Sequence, residues 1–116
     1  MATLLVVEDE ADIREVLIYL LGRDHSVFSA SDGKEGLRLF QSQRPDIVIT
    51  DLYMPEMSGF EMVKQIRELN SEAKIIVISA FLGKETERLS QIGANVYLSK
   101  PIDFDRLENS VTELLA

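Results

Sequence analysis

The sequence predicts a doubly wound α/β fold, a parallel sheet with helices on both faces. Three observations predict it. Five short β-branched apolar runs alternate with longer segments whose apolar residues recur every three or four positions. The central runs are apolar throughout rather than at every second residue, as strands buried on both faces must be. Cap and stop residues fall at the joins between the two kinds of segment.

In chain order, the strands are expected at Leu4–Val7, Val27–Ala30, Ile47–Thr50, Ile75–Ser79 and Val96–Ser99. The first helix follows from the stripe Ile13, Val16, Leu17, Leu20 and Leu21, with Gly22 as its stop. Asp32 is placed to cap a second helix marked by Leu37 and Phe40. Ser58-Gly59-Phe60-Glu61 reads as a capping box ahead of Met62, Val63, Ile66 and Leu69. Leu89 and Ile92 mark a weaker fourth helix. Asp103 opens a fifth, carried by Phe104, Leu107, Val111, Leu114 and Leu115.

The 116 residues, 46% of them apolar, suit one domain over 1–116 with a core of its own. With no cysteine, disulfides and thiolate chemistry are excluded. The opening Leu4-Leu5-Val6-Val7 run is too short for a signal-peptide core, and no segment nears the roughly 18 apolar residues of a membrane span. A cytoplasmic protein without membrane contact is expected. A net charge of −8 repels nucleic-acid phosphates, so direct nucleic-acid binding is not expected.

In doubly wound sheets, ligands bind beyond the carboxyl ends of the strands, where the strand order reverses. Here the first strand ends in Glu8-Asp9-Glu10, the third in Thr50-Asp51, the fourth in Ser79-Ala80 and the fifth in Ser99-Lys100-Pro101. Each group alone has a plain reading as a cap, a turn or a solvated pair, but together they place carboxylates, a hydroxyl and an amine on one edge. Two like charges about 4 Å apart repel by about 4 kcal/mol at an effective dielectric of about 20. Three such pairs approach the roughly 5–15 kcal/mol stability of a domain. Lys100 can offset one charge of Glu8, Asp9 and Asp51, and the surplus calls for a hard cation. Carboxylates without His or Cys favour Mg²⁺. A carboxylate nucleophile, Asp51, beside a lysine and the Ser79 hydroxyl has the parts needed to accept a phosphoryl group.

Val6-Val7-Glu8-Asp9-Glu10, the stretch from Asp51 through Met54-Pro55 to Ser58-Gly59, Ser79-Ala80 and Lys100-Pro101, in that order and spacing, resemble the receiver domains of two-component response regulators, chemotaxis-regulator-like, over essentially the whole chain. The resemblance implies a flavodoxin-like (βα)5 sheet of strand order 2-1-3-4-5. It implies that Asp51 is the phosphoacceptor, charged by a sensor histidine kinase or phosphotransfer protein. Asp9 would bind Mg²⁺ directly, Glu8 through water, and Asp51 and the Tyr53 carbonyl would add oxygens. Lys100 would pair with Asp51 at rest and with the phosphoryl group afterwards. Ser79 and Tyr97 would move together as a switch, remodelling the surface of the fourth helix, fifth strand and fifth helix for a downstream effector or output domain. Such a protein promotes only its own phosphorylation and dephosphorylation, and the family admits phosphorylation-dependent dimers. The Lys100-Pro101 peptide is expected cis. Tyr53 and Phe81, two residues after Asp51 and Ser79, are expected to obstruct an attacking water and prolong the aspartyl-phosphate.

Other functions fit less well. A phosphorylation-independent interaction module would use the surface of Lys84, Arg88, Tyr97 and Arg106, but has no need of the acidic cluster and Lys100. An aspartate-nucleophile phosphatase wants an acid at the position of Tyr53. A flavin mononucleotide carrier wants hydroxyls and amides where Glu8-Asp9-Glu10 stands.

Overall fold

The computed structural model describes residues 2–80 and 91–116. Five strands, β1 (Thr3–Val7), β2 (Ser26–Ala30), β3 (Ile47–Thr50), β4 (Lys74–Ser79) and β5 (Val96–Ser99), form one parallel sheet of order β2-β1-β3-β4-β5. Four described helices are α1 (Ala11–Leu21), α2 (Gly33–Gln43), α3 (Gly59–Leu69) and α4 (Phe104–Leu115). The last of these is the fifth helix of the sequence reading. Of the predicted fourth helix, Leu89 lies outside the described residues, as do Phe81, Lys84 and Arg88; Ile92 is buried.

The strand side chains alternate between two cores, because successive residues of a strand point to opposite faces. Leu5, Val7, Val48, Ile75 and Val77 pack with Phe40 of α2 and with Met62, Val63 and Ile66 of α3. Leu4, Val6, Ile47, Ile49, Ile76 and Ile78 pack with Leu17 and Leu21 of α1 and with Leu107 and Val111 of α4. Burying so many complete side chains, at about 1.5–3 kcal/mol each, drives the fold.

Three helix starts are capped as the sequence predicts. Asp32, Ser58 and Asp103 accept from the amides of Glu35 (2.8 Å), Glu61 (3.3 Å) and Arg106 (3.2 Å). The capping box is only half formed, since the Glu61 carboxylate accepts from Gln65 Nε2 at 3.1 Å. Gly22 does cap α1, but at φ −69, so no left-handed turn requires it. In α1 the predicted stripe is too wide: Leu17 and Leu21 are buried, whereas Val16 is 43% exposed.

Gly59 has a sharper justification. A Cβ there would stand 2.1 Å from the Asp51 carbonyl oxygen, and the Gly59 amide donates to the Leu52 carbonyl at 2.8 Å. The start of α3 is thus folded directly onto the end of β3. Gly59→Ala is expected to cost about 2 kcal/mol, because backbone rather than a pliable side chain must yield. Urea denaturation checks this; an unchanged midpoint would mean that the loop has slack.

Candidate functional site

The site is built by register. Val7 lies opposite Thr50 in the β1–β3 pair, so the residues that follow both strands emerge side by side. The Asp51 amide donates to the Val7 carbonyl at 3.1 Å, fixing that neighbourhood. This is where strand order reverses, with β2 on one side of β1 and β3 on the other. Lys100 follows β5, two strands from β3. Its amide donates to the Ser79 carbonyl at 3.0 Å, and its four-carbon stem crosses the end of β4.

The ammonium of Lys100 lies 2.6 Å from Asp51 Oδ2, 3.1 Å from Glu8 Oε1 and 3.7 Å from Glu10 Oε1. The other Asp51 oxygen, Oδ1, accepts from the amides of Leu52 at 2.6 Å and Tyr53 at 3.4 Å. Glu8 and Asp51 are buried, at 3% and 8% exposure, while Asp9 is exposed. One oxygen of each of the three carboxylates falls within 4.8 Å of the others.

Burial raises the pKa of Glu8; the Glu10 amide and Lys100 pull it down, and Asp51 and Asp9 push it up again. Burial also works against the Lys100 ammonium, but Asp51 and Glu8 outweigh it and hold its pKa above the ordinary lysine value. Lys100 is therefore a permanent cation. Lys100 contacts Glu8, Asp51 and Glu10, and Asp9 stands beside the first two, so one ammonium leaves the carboxylates in excess. An all-oxygen donor set with this surplus fits a small divalent cation such as Mg²⁺. Glu8, Asp9 and Asp51 are the carboxylates that would hold it.

Ser79 is fully buried at the end of β4. Tyr97 is half-buried against the α2/α3 core, and its hydroxyl accepts from the Ala94 amide at 3.1 Å. Tyr53 is 37% exposed and meets Phe60 edge-on, ring centroids 5.7 Å apart. Its expected companion Phe81 lies outside the described residues. The Lys100-Pro101 peptide is cis.

Some neighbours of the site were not anticipated. Arg14 of α1 donates to the Glu8 carbonyl at 2.7 Å, bracing the acidic loop from behind. Glu10 joins the lysine pair, and Thr50 Oγ1 donates to the Asp51 carbonyl at 2.7 Å. An arginine six residues after an acidic strand end, one turn into a helix, could have signalled the first. The others depend on side-chain directions that a linear pattern does not carry. Beyond Asp51, Pro55 and Met57 close a three-residue turn (Met57 N to Pro55 O, 2.8 Å) around Glu56, whose φ is +67. The Met57 carbonyl in turn accepts from Gly33, at the start of α2, at 3.0 Å.

A parallel sheet of order 2-1-3-4-5 with an acidic cluster and a lysine at its switch point defines a flavodoxin-like α/β protein with a charged site at the carboxyl edge of its sheet. The chain belongs to the response regulator receiver family of two-component signalling: residues 4–112 match the response regulator receiver domain. It is 37% identical over 116 residues to the probable transcriptional regulator ycf27 of Guillardia theta, covering 96% of this chain and 44% of that protein. It is also 37% identical over 115 residues to the sensor histidine kinase TmoS of Ectopseudomonas mendocina, covering 97% of this chain and 12% of that one. Among solved structures, the response regulator TrrA of Thermotoga maritima, in complex with Mg²⁺-BeF, is 36% identical with a TM-score of 0.88, covering 98% of this chain and 99% of that one. The chain spans less than half the length of the ycf27 relatives it matches. Among the described residues, no helix is long and apolar enough to cross a membrane.

Removing the lysine should expose what it offsets. Lys100→Met leaves Glu8 and Asp51 buried and facing each other, and an uncompensated buried charge costs about 3–5 kcal/mol. Urea denaturation in a chelator should show a loss of that order. A loss below about 1 kcal/mol, the worth of an exposed pair, would mean that water already screens the cluster.

Proposed function

We propose that this chain is a phosphorylation-driven switch in which Asp51 receives a phosphoryl group from a phosphohistidine of a sensor kinase or phosphotransfer protein. The observation that carries the reading is the Lys100 ammonium spanning Asp51 at 2.6 Å and Glu8 at 3.1 Å at the sheet's switch point. Family membership and the likeness to a regulator solved with Mg²⁺-BeF support it.

In the proposed reaction an Asp51 carboxylate oxygen attacks phosphorus as the bond from phosphorus to the donor's imidazole nitrogen breaks. The aspartyl-phosphate forms, and the freed imidazole keeps the electron pair and takes its proton from solvent. Glu8, Asp9, Asp51 and the Tyr53 carbonyl would hold a Mg²⁺ ion, which would supply charge neutralisation for the phosphoryl oxygens. Lys100 exchanges its Asp51 partner for a phosphoryl oxygen, and the buried Ser79 hydroxyl donates to another. The Leu52 and Tyr53 amides hold Asp51 Oδ1 and so orient the carboxylate. The chain acts on no substrate but itself.

The new charge then draws Ser79 inward and lets Tyr97 change place, altering the surface around β5 and α4 for an effector or output domain. Relatives that include a transcriptional regulator and a sensor kinase support partners of these two kinds. Tyr53, which packs edge-on against Phe60, would slow hydrolysis by obstructing the attacking water.

Two outcomes are expected. A small-molecule phosphodonor with Mg²⁺ should add one phosphoryl group to the native chain by intact-mass measurement, and none to Asp51→Asn. Labelling that persists in Asp51→Asn would reassign the acceptor. Separately, Mg²⁺ at a hundred times its Kd should stabilise the native fold by about 2.7 kcal/mol. Asp9→Ala should lose most of that gain in thermal melts; a full gain in that variant would remove Asp9 from the metal site.

A further inference from the structure

At the edge of the sheet opposite the acidic cluster, Arg67 of α3 makes four hydrogen bonds among the described residues, none of them to a carboxylate. Its Nη1 donates to the Ser71 carbonyl at 3.0 Å and, more closely, to the Ala73 carbonyl. Its Nη2 donates to the Gly93 carbonyl at 2.7 Å and to Asn95 Oδ1 at 3.1 Å. The guanidinium fork thus ties the end of α3, the entry to β4 and the entry to β5 together. Asn95 is held on its other side as well, since its Oδ1 accepts from the Ile75 amide and its amide donates to the Ile75 carbonyl, both at 2.8 Å.

Ala94 lies between the two residues that Nη2 grips, and the Ala94 amide is the donor to the Tyr97 hydroxyl, at 3.1 Å. Where that amide points is therefore set by Gly93, which has a left-handed φ of +70, and by Asn95. A glycine in that conformation does not hold a direction by itself. Something outside the loop must, and Arg67 touches it on both sides.

We infer that Arg67 is a positioning residue for Tyr97: by fixing the Gly93–Asn95 turn it aims the Ala94 amide that pins the Tyr97 hydroxyl in its resting place. The inference deepens the proposed function and rests on its reading of Tyr97 as the moving element. Arg67 sets how readily Tyr97 departs, because the pin must open before the ring can move. An arginine suits the role better than a lysine, whose single ammonium cannot bracket a turn with a flat fork of donors. Weakening this clamp raises the population of the moved Tyr97 state before any phosphoryl group is present.

The test uses the full chain with fluorotyrosine at its three tyrosines, the Tyr97 ¹⁹F line being assigned with Tyr19→Phe and Tyr53→Phe. The native line without and with Mg²⁺ and beryllofluoride, a phosphoryl mimic, gives the two end positions. In Arg67→Ala without the mimic, the line should lie at least a quarter of the way toward the mimic-bound position, and Arg67→Lys should fall between that variant and native. If Arg67→Ala does not fold, Arg67→Lys alone decides. A Tyr97 line at the native resting position in whichever folded variant is measured would overturn the inference. If the native line fails to move with beryllofluoride while the Arg67 variants displace it, the pin stands and the reading of Tyr97 as the switch falls.

Discussion

Everything at the active edge of this molecule turns on the crowding of like charge around one ammonium. Glu8 and Asp51 are almost wholly shielded from water, and Asp9 stands within reach of both. Such an arrangement is tolerable only because Lys100 lies against two of the three. Compensation is only partial, since Lys100 contacts Glu8 and Asp51 and leaves Asp9 to solvent, and an all-oxygen cluster with charge to spare suits a small divalent cation. The surrounding elements serve that balance. The β1–β3 register brings the carboxylates together, the stem of Lys100 bridges two strands, and Arg14 braces the loop that carries Glu8.

Much of this was legible in the sequence because it is written in periodicity. The five apolar runs match the strands to within one residue at each end, most plainly for β1, β3 and β4, where burial on both faces leaves no room for polar interruptions. Glu8, Asp9, Asp51 and Lys100 could be named because a parallel sheet puts every strand's carboxyl end on the same edge, so position along a strand translates into position in space. The nucleophile role of Asp51 followed from the chemistry of that cluster, whereas Tyr97, the Tyr53 carbonyl and the histidine-kinase donor came through resemblance.

What remained hidden was of another physical kind. Arg14 and Arg67 act on backbone carbonyls through long side chains, and nothing in linear spacing says which way such a chain will reach. Val16 fits the α1 stripe by period yet stays largely exposed, because α1 presents a narrower face to the sheet than its apolar residues could cover. Glu61 matches a capping signature, but its carboxylate accepts from Gln65 on its own helix.

The turn at Glu56 has a consequence for how the molecule opens. A non-glycine residue at φ +67 inside a three-residue turn is costly, on the order of 1–3 kcal/mol. It is held there by the Met57 carbonyl bonded to Gly33 at the head of α2. The loop above Asp51 and the first turn of α2 therefore share a fate: when one lets go, the other loses its anchor. Joined by that bond, the two segments are expected to open together in native-state hydrogen exchange, ahead of the buried strands. The edge that carries Asp51 is then the soft rim of a rigid sheet, a local reserve of conformational freedom set beside the acidic cluster.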